Sequence, residues 1–263
     1  MFYKKCIVPF TLILVLVTWM VSVSGVTAQG LVKSQNSGLA ALDRAANANK
    51  YLFVFFYRQD DAQTRSAGEI VRSAVSAASS RADMASISIT DPSEAGIVTK
   101  FGVDKAPMPI VLAIAPNGAI AANFVNNFTK QQILDSFVSP SMEALLKSLQ
   151  QGKLVLLCVQ NGKTRLNSEA MNGVRELKSD QRFSQATEVI MVDPGQPAER
   201  PFLSKLGMTD PIADATTVMI APPGSIIGSF KGATDKNQLV ATLTSATAGC
   251  GTGCNAGGCG VKN

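Results

Sequence analysis

Ile114-Ala115-Pro116-Asn117-Gly118 and Ile220-Ala221-Pro222-Pro223-Gly224 are nearly the same phrase, written twice at a displacement of 106 residues. Ile120 and Phe124 recur at that displacement as Ile226 and Phe230. A period this long is about one domain, so the chain reads as a duplicated domain and not as a solenoid of short repeats. Its 263 residues are enough for two such units. In both copies the phrase lies between apolar runs with Pro, Asn and Gly at the centre. That is the pattern of a hairpin, with strands over 110–115 and 119–124 in the first copy and across 216–232 in the second.

Each copy also begins with a strand that has no polar face. Residues 51–57 read YLFVFFY and residues 153–160 read KLVLLCVQ. Runs like these are buried on both sides, as at the centre of an α/β sheet. In the first copy, helical spacing is seen over 37–49, before the strand, and over 62–79, after it. A strand over 85–89 ends at Asp91-Pro92. A helix opens at Pro92, whose missing N–H costs nothing in a first turn, and runs to Lys100. Thr129 caps a last helix over 130–138. The second copy repeats this with a helix over 168–179, a strand over 186–192, a short helix over 201–206, the hairpin, and a closing helix over 235–246. Between the copies Pro140 breaks the chain, and 141–151 is an amphipathic helix that joins the halves.

The order helix, strand, helix, strand, helix, strand, strand, helix resembles the thioredoxin fold, across nearly all of residues 37–138. The segment FGVDKAPMP before the hairpin is similar to the place where thioredoxins hold a cis-proline beside the active site, and Pro109 matches it. Without the resemblance, Pro109 is an ordinary trans proline at the start of a strand. The expected architecture is α/β: two tandem thioredoxin-like domains, each a central mixed sheet flanked by helices, and a flexible Cys/Gly-rich tail. The expected boundaries are a signal peptide over 1–28, a first domain over 29–139, a linker helix over 140–152, a second domain over 153–247 and the tail over 248–263.

The resemblance also locates the chemistry, and shows it missing. Thioredoxins carry two cysteines where the central strand meets the next helix, because the helix N-terminus stabilises a thiolate. Here those positions are Asp61, Ala62, Gln63 and Thr64. Asp61 reads as a helix N-cap. The second copy has Asn161 to Arg165 after its strand and Ala215 opposite Pro109, so the proline is gone there too. Cys158 falls inside the second central strand and reads as a small buried hydrophobe. Histidine is absent from the chain, which excludes His-based acid–base catalysis and His-containing metal sites. No catalytic residue is assigned. The resemblance implies a binding groove framed by Asp61, Gln63, Thr64, Met108 and Pro109. It would receive an extended protein or peptide partner by backbone pairing, which needs no thiol. The alternative is that Met108 and Pro109 only pack.

The ends carry separate signals. MFYKK precedes a run from Cys6 to Val26 without a charge, and Val26 and Ala28 suit the small-residue positions of a cleavage site. The expectation is an exported protein, periplasmic or extracellular. It is membrane-bound only if residues 5–26 stay as an uncleaved anchor. At the other end, Cys250, Cys254 and Cys259 lie among glycines. Their spacing is not a zinc-finger pair, and no fourth ligand is present. Three uses stay open: a soft-metal site for copper or zinc, a disulfide with one leftover thiol, or a thiol relay. The net charge of +5 is small and scattered, so nucleic acid is not expected as a partner. Oligomeric state has no signal in the sequence.

Overall fold

The computed structural model describes residues 37–209 and 211–248. The N-terminal segment and the three tail cysteines lie outside them. Among the described residues, no helix is long and apolar enough to cross a membrane.

The first half runs α1 (Gly38–Asn47), β1 (Tyr51–Tyr57), α2 (Ala62–Ala77), β2 (Ala82–Ser88), α3 (Ala95–Phe101), β3 (Ile110–Ile114), β4 (Ile120–Val125) and α4 (Lys130–Leu134). Its sheet has the order β2-β1-β3-β4. β1 is parallel to β2 and antiparallel to β3, so the sheet is mixed. β1 is central, which is why YLFVFFY can bury both faces. Phe53 and Phe55 face the cluster built with α2, while Leu52, Val54 and Phe56 face the one that carries Ala45 of α1 and Ile97 of α3.

The second half repeats every element. It runs α5 (Pro140–Gln150), β5 (Leu154–Val159), α6 (Asn167–Ser179), β6 (Thr187–Val192), α7 (Arg200–Lys205), β7 (Thr216–Ala221), β8 (Ser225–Lys231) and α8 (Lys236–Ala248). The sheet order β6-β5-β7-β8 copies the first. Even the β-bulge recurs, between Ala113 and Ile114 in one hairpin and between Met219 and Ile220 in the other. α5, the helix that joins the halves, takes the place that α1 has in the first. Its Leu145 is buried with Val155, Leu157, Phe202 and Leu203 on one face of the second sheet.

Local chemistry accounts for the helix ends. Ser37 caps α1, Asp61 caps α2 and Ser139 caps α5, each accepting a backbone N–H of the first turn. Gly102 closes α3 in the left-handed conformation at φ 61°. α4 stops at Leu134, short of the expected 138. Ser136 turns its hydroxyl onto the Ile133 carbonyl at 2.6 Å, and the chain is extended by Ser139, just before Pro140. The Met108–Pro109 and Pro222–Pro223 peptide bonds are cis.

Candidate functional site

Register places the thioredoxin-site positions at one end of the first sheet. Phe56 pairs with Ile110, so the C-terminal end of β1 lies beside Pro109. Arg58, just past β1, donates from Nη2 to the Asp104 carbonyl at 3.1 Å and ties the two loops together. Asp61 then caps α2, its Oδ1 accepting the Thr64 N–H at 2.8 Å. That N–H, then the Thr64 hydroxyl, hold the Asp61 carboxyl below its ordinary value. Thr64 is buried, while Gln63 is exposed. Pro109 is buried. Met108 is half-buried and packs on the cluster of Phe56 and Ile110, so its side chain serves the core as well as the surface. Among the described residues, no hydrogen bond joins Asp61, Gln63 or Thr64 to Met108 or Pro109.

The matching end of the second sheet is built differently. Arg165 N–H donates to the Ala213 carbonyl at 3.0 Å, and Ala215 N–H donates to the Arg165 carbonyl at 2.9 Å. Arg165 thus lies as a one-residue parallel strand against Asp214, next to the counterpart of Pro109. Its guanidinium pairs with the Asp214 carboxylate at 2.7 Å. The loop before it is closed by its own side chains. Thr164 Oγ1 accepts the Asn161 N–H at 2.9 Å and donates to Asn167 Oδ1 at 2.6 Å, and Asn167 Nδ2 donates to the Asn161 carbonyl at 2.7 Å. Asn161 Nδ2 donates to Asp193 at 2.8 Å; that bond, then the Gly195 N–H, hold the Asp193 carboxyl below its ordinary value. By contrast, the Met108 backbone has no hydrogen bond among the described residues. Cys158 is buried in β5, and burial pushes its thiol up to about 11, so it is protonated and inert at neutral pH.

A further site had no signal in the sequence. A cavity of about 870 Å³ lies where the first fold meets α5 and α7, at the far end of β1 from Asp61. Tyr51 organises one wall. Its hydroxyl donates to Glu143 Oε1 at 2.7 Å and accepts the Val138 N–H at 3.2 Å. Phe137 meets the Tyr51 ring edge-on at 4.8 Å, and the Arg81 guanidinium lies over Phe137 at 4.4 Å. Burial, then the bond to Glu143, push the Tyr51 phenol far above its ordinary value. Burial also raises the Glu143 carboxyl, against the opposing pull of Tyr51 and Arg81. Behind this wall, buried Glu199 accepts the Ser139 hydroxyl at 2.6 Å and the Ser141 N–H at 3.2 Å, which fixes the start of α5 against the segment that opens α7. A buried tyrosine must find a partner for its hydroxyl, but nothing in the sequence names one 92 residues away.

Among known proteins, no family model matches the chain, and no curated protein does. Many solved structures resemble it, among them two of thioredoxin type. One is the oxidized state of thioredoxin O2 from Arabidopsis thaliana, 14% identical, aligned over 41% of this chain and 85% of that one, with a TM-score of 0.31. The other holds the first two thioredoxin domains of Saccharomyces cerevisiae Eps1p, 11% identical, aligned over 79% of this chain and 96% of that one, with a TM-score of 0.30. The sheet orders, the helices on both faces and the position of Pro109 make the case on their own terms: this chain is built of two thioredoxin-like folds in tandem.

Proposed function

We propose that this is an exported, non-catalytic protein that binds an extended protein or peptide segment at its first thioredoxin-like fold, with the second fold acting as scaffold. The observation that carries this reading is the contrast between Met108 and Arg165. In the second fold the chain's own Arg165 takes the backbone pairing beside Ala215. In the first, the counterpart of Ala215 is Pro109, which has no N–H to pair, and the neighbouring Met108 backbone carries no hydrogen bond among the described residues. Strand-like pairing of this kind supplies affinity through the main chain and needs no cysteine. Disulfide exchange needs a thiolate nucleophile, and the residues at the redox positions, Asp61 and Thr64, are engaged in capping α2. The apolar segment ahead of Ala28 supports export.

Insulin reduction by the purified mature protein tests the non-catalytic half. The expected result is no turnover. Turnover that survives removal of everything after Ala248 overturns it.

A second reading rests on Cys250, Cys254 and Cys259, which can converge on one soft ion because glycine lets the chain fold tightly around it. The tail then binds copper or zinc. Titration of Cu(I) or Zn(II) into the reduced protein, and into a chain ended after Ala248, decides: equal uptake by both removes this reading.

A further inference from the structure

We propose that the cavity between the two folds is a binding site for a small amphipathic organic anion. The site is separate from the groove at Pro109, and its case does not depend on that reading. Its volume of about 870 Å³ lies within the range of ordinary ligand pockets, about 300 to 1,000 Å³, and junctions between domains are where such pockets concentrate. The lining has two characters. Pro116, Pro140, Met142 and Pro201 offer apolar surface for the body of a ligand, over a floor that includes the buried rings of Tyr51 and Phe202. Arg81 comes from the first fold and Lys205 from the second, and both are exposed cations on the same cavity.

Neither cation has a carboxylate within salt-bridge distance among the described residues. The Arg81 guanidinium lies over the Phe137 ring at 4.4 Å, and its paired donors match the geometry of a carboxylate or sulfonate. Two carboxylates share the cavity, and each is accounted for. Glu143 spends Oε1 on the Tyr51 phenol, and burial raises its carboxyl against the opposing pull of Tyr51 and Arg81. Asp135 lies at the exposed rim, where its Oδ1 accepts from Gln131 Nε2 at 2.7 Å. The cations therefore have donors to spare, and the proline and methionine lining adds apolar surface. A molecule with an acidic end and an apolar body satisfies both. Since the two folds each supply one cation, such a ligand also bridges them.

The probe is 8-anilinonaphthalene-1-sulfonate, with N-phenyl-1-naphthylamine as the same rings without the charge. The full chain is titrated with each, and fluorescence is followed. The expected result is saturable binding of the sulfonate at one equivalent. Arg81→Gln and Lys205→Gln each weaken it by about tenfold or more, the scale of a lost charge-assisted hydrogen bond. The neutral compound changes by less than about twofold, within the scatter of a surface substitution. Both side chains are exposed, so the variants fold; near-ultraviolet circular dichroism verifies it, and Lys205→Glu, a second change at the same place, abolishes sulfonate binding. Ile226→Ser removes the most exposed large apolar side chain described, away from the cavity, and leaves the signal unchanged. Absence of saturable binding, equal loss for both compounds, no loss in the cation variants, or loss on Ile226→Ser overturns the proposal.

Discussion

The side-chain amide of Gln150 pairs with the backbone of Ile120 in both directions: Nε2 donates to the Ile120 carbonyl at 2.8 Å and Oε1 accepts its N–H at 3.0 Å. Gln150 belongs to α5, and Ile120 opens β4, an outer strand of the first sheet. An open strand edge invites unwanted pairing, and here an amide stands in for the missing strand. The duplication sharpens the point. The counterpart of Ile120 is Ile226, the second residue of β8. Among the described residues no side chain hydrogen-bonds to its backbone, and its own side chain is 53% exposed. The β4 edge of the first fold is thus closed by a side chain of α5.

Gln150→Ala should remove that closure without disturbing either core. Two exposed hydrogen bonds at the low end of the usual range amount to about 1 kcal/mol together. The expected outcome is a loss of that size in urea unfolding, with faster amide exchange at Ile120. Unchanged exchange at Ile120 would mean that the amide pair is not formed in solution.

Two glycines in equivalent helices should respond with opposite signs. Gly173 of α6 donates its N–H to the Thr234 carbonyl, and a Cβ there would meet that oxygen at 2.5 Å and the Asp235 carbonyl carbon at 2.6 Å. These are backbone atoms, so α6 and the start of α8 must separate. Gly173→Ala should cost at least about 1–3 kcal/mol, the range for overpacking. Gly68 of α2 has only the Phe55 ring nearby, at 3.5 Å, an ordinary contact. Gly68→Ala should therefore gain up to about 1 kcal/mol from helix propensity. Equal effects in denaturant melts would contradict the packing described for α6.

At the groove, Met108→Lys is expected to weaken capture of partners from the native extract. Lysine can keep its stem on the Phe56 and Ile110 cluster and lift its charge to the surface, so the fold survives. Arg165→Ala, in the self-paired loop of the second fold, should leave capture intact. If folded Met108→Lys retains the same partners at the same strength, the groove is not the contact surface.

How far the sequence could be read depended on the kind of interaction. Strands buried on both faces announce themselves: YLFVFFY became β1, and the apolar LVLLCV within KLVLLCVQ became β5, with Lys153 and Gln160 left outside the strand. The hairpins were legible from turn residues, and Asp61 from its place before a helix. α5 was legible as an amphipathic helix, but periodicity says that a helix buries a face without saying against what. The self-pairing of Arg165 left no trace in the sequence, because Asn-Gly-Lys-Thr-Arg is what any polar loop looks like. The cavity was equally silent. It is made by residues far apart in the chain, and none of them carries a motif.

The last prediction concerns pH and the bond between Tyr51 and Glu143. Burial makes the charged form of Glu143 costly and raises its carboxyl above the ordinary 4.5, even though the Tyr51 hydroxyl and Arg81 pull it down. The folded chain therefore holds this proton more tightly than the unfolded one. Its contribution to stability is complete below 4.5 and is lost as pH rises through the raised value. Glu143→Gln keeps an oxygen that can accept from Tyr51 but removes the titration. Urea unfolding of both proteins from about pH 4 to pH 8 should show the wild type losing stability relative to the variant above 4.5, then running parallel once Glu143 is ionised in both states. Tyr51→Phe takes away a hydrogen bond that favours the carboxylate, so its transition should lie at higher pH than in the wild type. Curves for wild type and Glu143→Gln that stay parallel throughout would show that Glu143 is not buried as described.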